Sequence, residues 1–316
     1  MARSYFLPRY WPKRLIWWVE YAFIATLINT LRCLPLRVSA RVAGGLFAFV
    51  GPFSARAAKV RKNFMVVAPQ ASSAELDRLM RASFRHLGVA VAELVSLARI
   101  WRDRDKRIEF TLAPGAVTPS PERRTVFVTA HLSAWQLTPL VGPYYGVTVP
   151  VIYAPEDNPY VDRKFASLRR AFGGPLVSRD GGIKALMRAL DKGQSIGLTA
   201  DTRMDAGDML PFFGEDAPTN TAPARLALRY ECDMVPVRAE RLPGARYRIT
   251  VYPPIRPRDS DASRAAQARD MIVQLAGHFE RWISATPGQW LCLKRRWPKD
   301  VYKRLSAYRD ECFGHD

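Results

Sequence analysis

A histidine closes an apolar run in the middle of the chain. Val126-Phe-Val-Thr129 is followed by Ala130 and His131, and a polar residue, Gln136, comes five positions after the histidine. A neutral imidazole at the mouth of a strand can take a proton from an attacking hydroxyl. A second polar side chain can hold one ring nitrogen and so fix the tautomer. Gln136 has the reach for this, but an amide orients the ring without stabilising the imidazolium that forms. Such a carboxylate-to-amide change costs on the order of a few powers of ten in rate, by analogy with the Asp-to-Asn change in the serine-protease triad. Both residues also have plainer roles open to them. His131 can be a satisfied histidine at a strand end, and Ser133-x-x-Gln136 has the spacing of a capping box. Ser133 lacks the Gly-x-Ser-x-Gly setting of an activated nucleophile.

The flanking elements are predicted from periodicity. Short β-rich runs at Val126–Thr129, Val149–Tyr153, Ser195–Thr199, Met234–Ala239 and Tyr247–Val251 alternate with helical stretches. Ile183, Leu186, Met187 and Leu190 mark one amphipathic helix, with Asp180 placed to cap it. Strand–helix alternation predicts an α/β domain with a mixed, mostly parallel central sheet flanked by helices. Such a sheet presents its ligands at the carboxyl ends of its strands, where His131 lies. Upstream, residues 34–70 read as two short helices broken at Pro35 and Gly51-Pro52. Ser72-x-x-Glu75 is a capping box opening a longer helix on which His86 and Glu93 ride as structural residues.

The chain has 316 residues and a net charge of +19, from 48 basic and 29 acidic side chains. An excess of this size implies an anionic partner: nucleic acid, anionic lipid or an acidic carrier protein. The basic residues are scattered, with no basic arm and no Lys/Arg block interleaved with aromatics, which argues against nucleic acid. The four cysteines form no Cys-x-x-Cys pair and the four histidines no His-x-x-x-His pair. A disulfide framework, a zinc site and a metal cofactor are therefore not expected, and a reduced compartment is. Residues 15–31 carry one charge, Glu20, and have basic residues on both sides. They are expected to form an N-terminal hydrophobic membrane helix, either a short spanning anchor or a helix lying in the interface, with a buried core helix as the plainer reading. The division expected is a membrane-anchoring segment at 1–35 and a single α/β domain at 36–316.

Taken in order along nearly the whole chain, these residues resemble the bacterial lipid A biosynthesis acyltransferases, the late lauroyl/myristoyl transferases of the glycerolipid acyltransferase superfamily. The resemblance runs through Arg61-Lys-Asn-Phe, Ala130-His-Leu-Ser-Ala-Trp-Gln136, the Asn158-Pro159 turn with Arg169 downstream, and Ser178-Arg-Asp-Gly-Gly-Ile-Lys184. It continues through Ala200-Asp201, Pro211-Phe-Phe-Gly214, Thr219-x-Thr221 and Pro287-Gly-Gln-Trp-Leu-Cys-Leu-Lys-Arg-Arg-Trp297. It implies acylation of a hydroxyl of a lipid A precursor by an acyl thioester on acyl carrier protein, or by acyl-CoA, with no resident cofactor. It implies a bacterial inner-membrane location, with the catalytic domain on the cytoplasmic face. It also leaves another glycolipid acceptor open, such as a mannosylated phosphatidylinositol.

The family signature is His-x-x-x-x-Asp/Glu, so the resemblance makes His131 the base and position 136 its partner, with Arg169 and Asp201 completing the polar site. Gln136 departs from that signature. Either a glutamate has been replaced, or glutamine is native and the chain is weakly active, partnered by Asp201, or a silent lipid-binding homologue. Arg169 could bind phosphate or an oxyanion, or be a surface helix residue. Asp201 could orient an acceptor hydroxyl, or be a turn residue. Phe212 and Phe213 could wall an acyl pocket, or pack a loop. Arg295 and Arg296 could face lipid phosphates or an acidic carrier protein, or lie in a solvated tail. The resemblance adds Arg179 and Thr219 to the substrate-contacting set.

Overall fold

The computed structural model describes residues 11–153, 155–178 and 182–313. Four helices come first: α1 (Trp11–Cys33), α2 (Leu36–Val50), α3 (Ala57–Val67) and α4 (Ser73–Val95). Two short helices, α5 (Leu97–Arg102) and α6 (Arg104–Arg107), lead into strand β1 (Ile108–Leu112). Strands and helices then alternate: β2 (Thr125–Thr129), α7 (Val141–Tyr145), β3 (Val151–Tyr153), α8 (Pro159–Leu168), β4 (Leu176–Ser178), α9 (Gly182–Asp191) and β5 (Ile196–Thr199). A hairpin of β6 (Asp208–Phe212) and β7 (Glu215–Thr219) precedes α10 (Ala222–Arg229). The chain closes with β8 (Asp233–Leu242), β9 (Arg246–Val251), α11 (Arg264–Ala285) and α12 (Lys299–Phe313).

The main sheet has seven strands in the order β1-β9-β8-β2-β5-β3-β4, parallel throughout except for the β8–β9 pair. This is the mixed, mostly parallel α/β architecture expected from the sequence. All five residues of β2 are buried, as a central strand covered on both faces requires. Val126, Val128, Ile196 and Met234 face one core with Phe64, Leu76 and Phe279. Phe127, Val235, Val237 and Ile249 face the other with Leu97, Ile100 and Leu137.

Strands β1, β4, β6 and β7 were not legible as strands. Asp-Met-Leu-Pro-Phe and Glu-Asp-Ala-Pro-Thr read as loop by composition, yet Leu210, Phe212 and Ala217 bury their side chains. Positive φ at Phe213 (53°) and Gly214 (74°) closes this hairpin in two residues.

The Ser72–Glu75 capping box forms with both reciprocal bonds and opens α4. Gly88 on α4 lets α2 approach closely, since a Cβ there would sit 2.3 Å from the Ala43 carbonyl oxygen. Asp180, expected to cap α9, lies outside the described residues.

The 15–31 segment is helical within α1, but the spanning reading does not hold. No single helix among the described residues is long and apolar enough to cross a membrane. Lys13, Arg14, Glu20 and Arg32 interrupt α1, and Trp17, Ile28 and Leu31 bury one stripe of it against the domain. Trp18 and Tyr21 meet Tyr160 of α8 at ring-centroid distances of 5.6 and 6.0 Å. Asn158 caps α8 by accepting from the Tyr160 and Val161 N–H groups, and Pro159 follows at the first helical position. The Asn158 amide donates to the Trp17 carbonyl (2.8 Å) and to the Glu20 carboxylate (3.0 Å), tying α1 to α8.

Candidate active site

Strands β2 and β5 are parallel neighbours, and Thr129 pairs with Thr199. The ladder continues one residue further, with the Ala200 N–H donating to the Thr129 carbonyl (3.0 Å). His131 and Asp201 therefore occupy equivalent positions, each two residues beyond the paired threonines. Adjacent strands lie about 4.8 Å apart and side-chain direction repeats every two residues, so the two side chains are brought to the same face. His131 Nδ1 lies 2.7 Å from Asp201 Oδ1. The imidazole is 26% exposed and the carboxyl is fully buried.

Burial alone would push the Asp201 carboxyl up. The His131 charge opposes it, and hydrogen bonds from the His131 ring, the Trp290 indole (2.9 Å to Oδ2) and the His131 backbone add to the opposition. They hold Asp201 below the usual carboxylate range. Burial pushes His131 down, but the charge of Asp201 and its hydrogen bond outweigh that and hold the imidazole above its usual value. With Asp201 ionised, Nδ1 must be the donor, which leaves Nε2 as the nitrogen with a lone pair. The pair has the atoms for general-base catalysis at the carboxyl edge of the sheet.

The loop after His131 is fixed by backbone contacts. Ser133 has φ 52°, and its hydroxyl accepts from the Arg241 N–H (3.0 Å). Arg241 in turn grips the buried Glu93 carboxylate with two bonds of 2.7 and 2.8 Å, and its third nitrogen meets His86 Nδ1 at 2.9 Å. His86 accepts there and is neutral: burial, then Arg241 and Arg85, lower its pKa to about 4. Glu93 and His86 are thus structural in the sense expected, as a buried brace for the His131 loop.

Gln136 does not meet the ring. It sits in the turn Trp135–Leu140, and its amide nitrogen turns to the Ala90 carbonyl of α4 at 3.4 Å. The position that the family signature makes the partner is occupied by an amide directed away, and the carboxylate on Nδ1 comes from β5. One consequence is that Gln136→Glu should change kcat by less than about threefold. It should also cost about 1–3 kcal/mol, because a carboxylate would replace the donor facing a carbonyl oxygen. A rise in kcat of a hundredfold in this variant would make position 136 the ring's partner after all.

The other expected site residues scatter. Arg169 is the C-cap that follows α8, with its guanidinium over the rings of Tyr153 (5.5 Å) and Phe165 (5.8 Å). Burial lowers its pKa, and Glu156 and Asp162 oppose that. Tyr153 ends β3, so Arg169 belongs to the same sheet edge as His131, without a contact to it. Arg179 lies outside the described residues. Phe212 is buried in the core, stacked on Trp297 at 5.7 Å, and Phe213 is half-buried at the hairpin turn with its N–H on the Glu280 carboxylate. Phe212 is therefore core packing in place of the expected pocket wall.

Arg296 departs most from expectation. It is 2% exposed, donates to the Pro218 carbonyl (2.9 Å) and the Thr219 hydroxyl (2.7 Å), and lies over the Phe212 ring. It clamps the β6–β7 hairpin from inside, so neither it nor Thr219 is presented to a lipid phosphate. Arg295 remains half-buried and Lys294 exposed. The residue missed altogether is Trp290. The pairing of His131 with Asp201 did have a signal in the sequence: two apolar strands end in Thr-Ala-His131 and Thr-Ala-Asp201.

Among solved structures, the chain is similar to the 1-acyl-sn-glycerophosphate (LPA) acyltransferase PlsC from Thermotoga maritima. That match is 14% identical, covers 76% of this chain and 97% of that one, and has a TM-score of 0.35. The chain is 23% identical over 319 residues to the lipid A biosynthesis palmitoleoyltransferase of Escherichia coli (strain K12), covering 97% of each. It has the same identity and coverage with the lipid A biosynthesis acyltransferase of Shigella flexneri. The sequence profile of the bacterial lipid A biosynthesis acyltransferases matches residues 7–299, and the chain belongs to that family.

Proposed function

We propose that the chain transfers a fatty acyl group from an acyl thioester, on acyl carrier protein in preference to coenzyme A, to a hydroxyl of a lipid A precursor. The observation that carries this reading is the His131–Asp201 pair, with Nδ1 committed to a buried carboxylate. The acceptor oxygen attacks the thioester carbonyl while Nε2 takes its proton. The tetrahedral intermediate then collapses, the C–S bond breaks, and the imidazolium returns the proton to the leaving thiolate. The products are an ester and a free thiol. Asp201 keeps the ring in the reactive tautomer and balances the imidazolium charge. No covalent enzyme intermediate is required when donor and acceptor share the site. Arg169, Lys294 and Arg295 are the cations offered to phosphate or to an acidic carrier.

The test is incubation of the purified chain with a radiolabelled acyl carrier protein thioester and a phosphorylated, underacylated lipid A precursor. Label in that lipid supports the reading. Label that enters only a mannosylated phosphatidylinositol keeps the chemistry and changes the acceptor. Lipid binding without transfer to either overturns the enzymatic reading in favour of a silent homologue.

The location we infer is the cytoplasmic face of the bacterial inner membrane, with the N-terminal helices lying in the interface. Leu15, Ile16, Val19 and Phe23 of α1 are exposed, as are Val42, Leu46, Phe49 and Val50 of α2 and the adjoining Phe53, which is 78% exposed. Lys13 of α1, Arg37 and Arg41 of α2, and Lys59 at the start of α3 are also exposed. Apolar side chains bordered by cations are the composition of an interfacial helix over anionic lipid. Replacing Phe23, Phe49 and Phe53 together by serine should weaken co-sedimentation with anionic vesicles by at least about tenfold, since each buried phenyl contributes about 1.5–3 kcal/mol. The activity measured in detergent should be retained.

A further inference from the structure

The C-terminal segment around Trp290 grips both members of the His131–Asp201 pair. Trp290 is fully buried, and its indole N–H donates to Asp201 Oδ2 at 2.9 Å, while the other carboxylate oxygen meets His131. The same stretch holds the backbone around the histidine. The Leu291 N–H donates to the His131 carbonyl (2.8 Å), and the Gln289 carbonyl accepts from the Ser133 N–H (3.1 Å). Trp290 is itself held by its carbonyl, which accepts from the Ser83 hydroxyl of α4 at 2.7 Å. Its ring sits edge-on to Phe64, Phe212 and Trp297 at 6.2–6.3 Å.

We propose that Trp290 is a positioning residue for the acyl transfer, fixing the Asp201 carboxylate so that one oxygen faces His131 and moderating its basicity. This deepens the reading of His131 as base and rests on it. A carboxylate turns about a single bond with a broad torsional preference, so a fully buried one takes its orientation from its donors. Removing the indole N–H loosens that orientation and raises the proton affinity of the coupled pair.

Trp297 supplies the control. It is equally buried in the same aromatic cluster, but its indole donates to the Phe212 carbonyl (3.0 Å) and not to the pair. Trp290→Phe should lower kcat about tenfold, the scale of one hydrogen bond, with KM for the acceptor unchanged within about twofold. The acid limb of its kcat/KM profile should move up by about half a pH unit or more. Trp297→Phe should lose thermal stability and keep the wild-type acid limb. If Trp290→Phe does not fold, 3-benzothienylalanine at position 290 keeps the ring's shape and removes only the N–H, and the same two readings decide. A wild-type kcat and acid limb at position 290, or equal shifts in the two variants, overturns the proposal. His131→Ala separates it from its parent. Full activity in that variant ends the base reading, whereas its loss alongside indistinguishable tryptophan variants ends only the role of Trp290.

Discussion

Asp201→Asn should fold and should lower kcat by about a thousand- to ten-thousand-fold, as the corresponding amide does in a Ser-His-Asp triad. The geometry gives the reason. The Trp290 N–H needs an acceptor and will draw the amide oxygen to itself. The amide NH2 then faces His131 Nδ1, a contact of 2.7 Å that only an unprotonated nitrogen can accept. The proton of the neutral ring moves to Nε2, which is the wrong tautomer for taking a proton from a hydroxyl. Single-turnover transfer separates this loss of chemistry from any change in acceptor binding. The pH profile carries a sign as well. In the wild type the acid limb of kcat/KM should lie above 6.5, because the Asp201 charge holds His131 above that value. In the amide variant the limb should fall below 6.5, since burial then acts on His131 without its counterion. A limb that stays in place would remove Asp201 from the pair.

His131→Ala should cost about a hundred- to ten-thousand-fold in kcat, the range for a positioned proton acceptor. Its structural effect is the more diagnostic. The substitution leaves the fully buried Asp201 carboxylate without its cation and ring donor. The folded-state pKa of Asp201 should therefore rise above its unfolded value. A group that binds its proton more tightly in the folded state makes stability fall as pH rises through its titration. The single variant should thus melt lower at pH 8 than at pH 5, by several degrees. Adding Asp201→Asn to it should recover part of that loss and cost little further activity, because two groups that act as a unit are not additive. Additive losses in kcat would mean that His131 and Asp201 serve separate functions.

The parts of the fold written in long apolar periods were readable: the buried β2, β5, β8 and β9, the capped α4, and the break between α2 and α3. The β6–β7 hairpin was not, because its strand character comes from an internal arginine clamp and an aromatic cluster contributed by residues some eighty positions away. Arg296 shows the same difficulty from the other side. Beside Lys294 and Arg295 it reads as surface charge, and only the return of the chain past the hairpin buries it. At the site, His131 was legible from its strand, whereas Asp201 stood only as the alternative partner behind Gln136. Spacing along the chain favours Gln136, five residues away, whereas spacing across the sheet selects Asp201, seventy away. Local sequence reports the first distance, and strand register sets the second.

That register has an evolutionary corollary. The imidazole and the carboxyl are brought into step by main-chain pairing between two neighbouring strands, whose register places each two residues beyond the paired threonines. Surface connections can lengthen, shorten or change composition while the imidazole and carboxyl stay in step. On the function proposed above, acceptor and acyl-chain preference can therefore change without rebuilding the pair. A single-residue insertion at the tip of either strand would part the two groups at once.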